Sequence, residues 1–186
     1  MIRMRIESLV RLLPLRVMFQ DEARFGRIDD PRRCWAEPEI RPKTPKQIIR
    51  EYTYLYGAFC PRDGSMDSLI LPFMDSFCMN RFLREVADRH PRELVLMVTD
   101  GAPCHKSQEL TVPDNMRLLF LPPYCPQLNP AENMWDEMRE KFFGNVSFVS
   151  MDHLEEHLVT ASLHYEKSPY TVKSISNWEW MGLNYV

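Results

Sequence analysis

The run LVLMVTD, residues Leu94 to Asp100, is apolar for five positions, passes through Thr99 and ends in an acid. An uninterrupted apolar segment this short reads as a central strand covered on both faces, and the carboxyl end of such a strand is where ligands bind in open α/β sheets. The neighbouring segments supply the rest of a sheet. VMFQDE (17 to 22) is a second short apolar run, hence a buried first strand ending at Asp21. RCWAEP (33 to 38) reads as a short extended piece, and EPEIRPKTPKQIIR (37 to 50), with three prolines, as a long loop. REYTYLYGAFC and SMDSLILPF flank the turn tetrapeptide PRDG and are expected to pair as an antiparallel hairpin. CMNRFLREVADRH sets Met79, Phe82, Leu83, Val86 and Ala87 on one helical stripe, which Pro91 ends. MRLLFLP (116 to 122) repeats the strand pattern, a helix starts near Pro130, and a last helix covers roughly 151 to 165. The order is strand, hairpin, helix, strand, short helix, strand, helix: an α/β chain with a mixed sheet and helices packed against it.

At 186 residues the chain is one domain with a tail, long enough to bury a real core. Its composition, 45% apolar and 26% charged, is that of a globular protein, and no apolar run approaches the roughly 20 residues that cross a bilayer. The opening MIRMRIESLVRLLPLRV lacks the apolar core and cleavage site of a signal peptide, so a cytoplasmic, nucleoid-associated location is expected, with no membrane partner. Five cysteines without a C-x-x-C pair read as free thiols. The net charge is -3, yet residues 1 to 50 hold 12 Lys/Arg against 7 Asp/Glu, and the remainder 11 against 19. Within the basic part, Arg24, Arg27, Arg32, Arg33, Arg41, Lys43 and Lys46 surround Trp35; the stretch could grip a DNA backbone or stack on a base, and Trp35 serves equally well as core.

Three carboxylates stand out by position. Asp21 ends the first strand, Asp100 ends the central one, and Glu132 opens the helix after LPPYCPQLNPAENMW (121 to 135). If the two strands are neighbours, their ends bring Asp21 and Asp100 together, and Glu132 is delivered from outside the sheet. Asn129 suits an N-cap and Pro130 the first helical position, and the preceding prolines stiffen the approach, so Glu132 would be held with little freedom. Converging carboxylates repel one another, and divalent metal resolves this. Two Mg²⁺ ions bring +4 against -3, which leaves positive charge for a scissile phosphodiester. Each acid also has a structural use: Asp21 before a turn, Asp100 in an Asp-Gly turn, Glu132 in a capping box with Asn129. The set carries the chemical reading.

FQDEARFG, VTDGAPCHKS and LPPYCPQLNPAENMW, with YLYGAFCPRDGS between them, resemble the signature blocks of the mariner-like DDE transposases, in particular the bacterial insertion-sequence branch. The resemblance runs from about Val17 to Phe143. It implies a ribonuclease H-like fold with a five-stranded mixed β-sheet flanked by α-helices. It further implies a metal-binding catalytic triad of Asp21, Asp100 and Glu132, two Mg²⁺ (or Mn²⁺) ions, and DNA strand cleavage and strand transfer at transposon ends. In that family water, and later a DNA 3′-hydroxyl, attacks the phosphodiester without a covalent protein intermediate. DNA contacts are expected from Arg24, Arg27, Arg33, Trp35, Lys43, Lys46, His105, Lys106 and Asn129. The partners implied are transposon-end and target DNA and a second copy of the chain.

The chain departs from the family twice. Only 20 residues precede Asp21, which leaves no room for the helix-turn-helix domains members usually carry, so a separately encoded helix-turn-helix protein is an expected partner; and the 31 residues between Asp100 and Glu132 are slightly fewer than usual. The expected organisation is an N-terminal linker remnant (1–16), a catalytic domain (17–165) and a C-terminal tail packed on the core (166–186). A non-catalytic DNA-binding or assembly remnant and a stand-alone ribonuclease H-type nuclease are the alternatives. HLEEH (153 to 157) formally matches H-x-x-E-H, a zinc pattern, in a charged helix whose Met151, Leu154 and Leu158 form the buried stripe.

Overall fold

The computed structural model describes residues 13–28, 31–43, 46–101, 109–123 and 125–178. Its centre is a five-stranded mixed sheet of β1 (Leu15–Ile28), β2 (Ile48–Phe59), β3 (Met66–Leu71), β4 (Leu94–Thr99) and β5 (Met116–Phe120), in the order β3-β2-β1-β4-β5. β1, β4 and β5 run parallel, and β2 lies antiparallel to both β1 and β3. The hairpin forms as its PRDG turn predicts. Gly64 takes φ +74°, and a Cβ there would come within 1.9 Å of the Pro169 carbonyl oxygen, so the turn needs glycine on two counts.

Helices cover both faces. On one, α1 (Ser76–Arg89), capped by the Asp75 carboxylate at the Cys78 N–H, buries Met79, Phe82, Leu83 and Val86 against Met18, Tyr56, Val95 and Met97. On the other, α2 (Ala131–Met138), α3 (Met151–Glu166) and α4 (Pro169–Ser176) pack Met134, Trp135, Leu154, Leu158, Tyr165 and Val172 against Phe25, Leu55, Phe59 and Met66. Each large apolar side chain fully buried this way contributes roughly 1.5–3 kcal/mol. A π-helical turn, Arg139–Phe143, extends α2.

Three sequence expectations need correction. β1 does not end at Asp21: it continues to Ile28, because β2 supplies ladder partners throughout and Ala23 and Phe25 still face buried helix. What ends near Asp21 is the pairing with β4, whose last partner on β1 is Phe19. β5, read as a buried strand, lies at the sheet's edge with Leu119 and Phe120 exposed. RCWAEP forms no strand, and Trp35 stands free of the core with its side chain fully exposed. The short helix expected between β4 and β5 falls largely on 102–108, outside the described residues. Cys34, Cys60, Cys78 and Cys125 are free thiols.

Candidate active site

Because β4 stops pairing at Phe19 while β1 runs on with β2, a crevice opens beside β1 just where Asp21 stands. Asp100 follows the last residue of β4, and Leu121 leaves β5 alongside it, its N–H bonded to the Thr99 carbonyl at 2.8 Å. The proline-rich segment then crosses the crevice, makes a 3₁₀ turn at Pro126–Leu128 and enters α2, with Glu132 in its first turn. Asp21, Asp100 and Glu132 thereby line one cavity of about 410 Å³, walled by Leu121, Pro122, Pro123, Pro126 and Asn129.

The crossing segment is fastened from below. Asn129, 3% exposed, donates from Nδ2 to the Gln20 carbonyl at 3.2 Å and accepts from the Ala131 N–H at 3.2 Å. Gln20, wholly buried, accepts at Oε1 from the Thr99 hydroxyl at 2.6 Å and donates from Nε2 to Glu22 at 2.9 Å. Asn129 is therefore a structural fastener that also lines the cavity; one of its two amide N–H groups is engaged with the protein. It caps α2 from one position earlier than expected, since Pro130 occupies the cap itself.

Asp21 is held from beneath by a residue that reading the sequence passed over. The Trp135 indole N–H donates to Asp21 Oδ2 at 2.9 Å. Trp135 is 1% exposed and meets the Phe59 ring edge-on, with centroids 5.2 Å apart. Gly57 is the β2 partner of Asp21, and a Cβ there would lie 2.5 Å from Trp135 Cη2, so glycine leaves the indole its space. The available signal was spacing: Trp135 lies one helical turn after Glu132, on the stripe that includes Ala131 and Met138.

Burial, with the Glu132 charge next, pushes the Asp21 carboxyl up to about 7, against the pull of the Trp135 N–H. A carboxylate so short of positive charge, next to a second one, is a site for a cation, and an all-carboxylate donor set suits Mg²⁺ or Mn²⁺. The residues fit such an ion in kind. Among the described residues, no three His, Cys, Asp or Glu side chains are already drawn together as a ligand group, so the acids line the cavity without converging.

The other expected contacts divide. Arg24, Arg33, Lys43 and Lys46 are exposed, as is Trp35. Arg27 is tied to Glu51 at 2.6 Å and to the carbonyls of Phe148 and Val149, and Arg32 to Glu140 at 3.5 Å. His105 and Lys106 lie outside the described residues. The HLEEH pattern makes no zinc site: His157 Nε2 donates to the Phe142 carbonyl at 2.6 Å, and its ring sits between Phe143 and Phe148.

A five-stranded mixed sheet of this order with helices on both faces is a ribonuclease H-like domain. The chain belongs to the DDE superfamily of endonucleases, whose family model matches residues 16–155. It is 35% identical, over 130 residues (69% of this chain and 96% of the relative), to the uncharacterized protein y4pE/y4sA of Sinorhizobium fredii (strain NBRC 101917 / NGR234). Its fold is similar to that of the Mos1 mariner transposase. The paired-end complex with Mn superposes with TM-score 0.60 at 14% identity, covering 92% of this chain and 56% of that one. The paired-end complex with the left transposon end gives 0.57, also at 14%, covering 95% and 60%. The chain thus spans little more than half the length of the transposase it matches. No helix among the described residues is long and apolar enough to cross a membrane.

Proposed function

We propose that this chain is the catalytic core of a transposase that cleaves DNA strands at transposon ends and joins them to target DNA. The observation that carries the reading is that Asp21, Asp100 and Glu132, from three separate elements, line one cavity where β1 and β4 part. Asp21, Asp100 and Glu132 would hold two Mg²⁺ or Mn²⁺ ions, which when bound supply Lewis-acid stabilisation to the attacking and leaving oxygens of a phosphodiester. The Mos1 complexes that share the fold include one with Mn and one with Mg. The chain's own part is placement. Trp135 fixes the Asp21 carboxylate, Asn129 and the prolines fix the start of α2 and hence Glu132, and the exposed cations after β1 meet the DNA backbone.

The catalytic unit on this reading is residues 17–165, and α4 (Pro169–Ser176) of the following segment packs against it; residues 179–186 lie outside the described residues. Pairing as a homodimer on DNA ends, and end recognition by a separately encoded helix-turn-helix protein, belong to the same proposal. The test is nicking of supercoiled plasmid with Mg²⁺ or Mn²⁺. The wild type should nick and Asp100→Asn should not; cleavage undiminished in that variant would refute the assignment. Activity confined to an RNA–DNA hybrid would instead mark a ribonuclease H-type nuclease.

A further inference from the structure

Paired residues of β1 and β4 lie 79 positions apart in the chain, and their ladder ends at Phe19 and Val98. Continuing that register sets Gln20 opposite Thr99, and Asp21 opposite Asp100. The first of these pairs is joined by side chains instead of main chain. The Thr99 hydroxyl donates to Gln20 Oε1 at 2.6 Å, and both residues are wholly buried. The bond thus sits one residue short of the two acids, at the point where the strands part.

Each end of the tie is anchored from its other side. Gln20 pairs with Ala58 of β2, and its carbonyl accepts from Asn129 Nδ2 on the lead into α2. Thr99 pairs with Phe120 of β5, and its carbonyl accepts from the Leu121 N–H. A hydrogen bond between two fixed strands, away from water, is stronger than an exposed one and costly to leave unmade. Side chains alternate along a strand, so Gln20, beside Ala58, faces the α1 side while Asp21 meets Trp135 on the α2 side. The tie therefore bears on the acids through the backbone, without touching what they hold.

We propose that Gln20 and Thr99 are positioning residues: their bond carries the β1–β4 pairing one step further and fixes the separation at which Asp21 and Asp100 take a divalent cation. The proposal rests on the reading of the cavity as a metal site. It adds two residues that act on that site from the opposite face of the sheet.

The test is Mn²⁺ binding to the full chain by isothermal titration calorimetry at pH 8, with melting temperatures taken on the same samples. The wild type should bind, and Asp100→Asn should bind far more weakly. Thr99→Val, which removes only the hydroxyl, should lower Mn²⁺ affinity by about tenfold, as is typical for groups that orient metal-ligating side chains. Thr99→Ser restores the hydroxyl and should recover most of the loss. Gln20→Asn is one methylene short of Thr99 and should lose at least as much as Thr99→Val; the double variant should lose no more than Gln20→Asn alone, because the same bond is already gone. If Thr99→Val does not fold, Gln20→Asn compared with Thr99→Ser carries the test. Thr53→Val is the control: it removes a likewise buried hydroxyl, bonded to the Leu71 carbonyl, and should leave Mn²⁺ affinity at the wild-type value whatever its melting temperature.

Wild-type affinity in Thr99→Val and Gln20→Asn, an equal loss in Thr53→Val, or a serine variant no better than the valine one would each overturn the proposal. A wild type that binds no Mn²⁺, or binding undiminished in Asp100→Asn, would overturn it together with the metal reading. Plasmid nicking is read separately. A chain that holds Mn²⁺ through this tie yet never nicks keeps this inference and loses the catalytic one.

Discussion

The indole N–H of Trp135 reaches Asp21 Oδ2 at 2.9 Å, so the helix that presents Glu132 also sets the orientation of Asp21. Partners that hydrogen-bond a metal-ligating carboxylate typically account for 10- to 100-fold in metal affinity. Trp135→Phe keeps most of the packing and removes the donor, so Mn²⁺ affinity measured by calorimetry should fall by about that factor. Replacing the indole with an isostere lacking only the N–H should have the same effect at unchanged melting temperature. Unaltered Mn²⁺ affinity in both would show that the bond has no bearing on the site.

Asp21 gives the metal-free protein a pH dependence of definite sign. Its folded pKa, about 7, is raised above the ordinary carboxylate value. Between roughly pH 4 and pH 7 the folded state holds a proton that the unfolded state has released, so stability falls as pH rises through that window. Asp21→Asn cannot ionise and escapes the fall. In urea unfolding with EDTA, the variant's advantage over wild type should grow by about 2 kcal/mol from pH 5 to pH 8, allowing for partial exposure of the carboxylate. Saturating Mn²⁺ at pH 8 should stabilise only the wild type. A gap that does not change with pH would contradict this.

Gly57→Ala tests the fit beneath the acid. The new methyl would lie 2.5 Å from Trp135 Cη2 and 3.0 Å from Phe59 Cζ, both buried. Overpacking of this kind costs about 1–3 kcal/mol, to be read as a lowered midpoint in thermal or urea unfolding. A neutral outcome would mean that the indole can slide aside.

Asn129→Ala removes the donor to the Gln20 carbonyl and the acceptor of the Ala131 N–H, both buried. Leaving such groups unsatisfied costs about 1–3 kcal/mol, and Asn129→Asp, which keeps only the acceptor, should be intermediate at best. DNA affinity at 100 mM KCl should change little in either variant. A selective loss of DNA binding at full stability would return Asn129 to the role its sequence position invited.

Most of the architecture was legible because period and punctuation agreed: the stripe on α1, the PRDG hairpin and the unbroken run of β4 each pointed to one structure. Asp100 and Glu132 were legible as the end of a strand and the start of a helix, whereas Asp21 was marked by a strand end that β1 does not have there. The length of β1 was not, because a charged, alternating segment such as DEARFGRI reads as surface until its partner strand is known. Trp35 could not be placed either, since an aromatic among arginines suits a core as well as an exposed loop. Trp135 and Gln20 went unread because their roles exist only through contacts between residues 79 or more positions apart. The last helix, Pro169–Ser176, was taken for tail because its apolar positions are few.

Since α2 both carries Glu132 and grips Asp21, those two oxygens travel as one rigid piece with the core. Asp100 follows β4, which pairs with β1 and whose Thr99 hydroxyl bonds Gln20 beside Asp21, so all three acids hang from one continuous sheet and its packed helix.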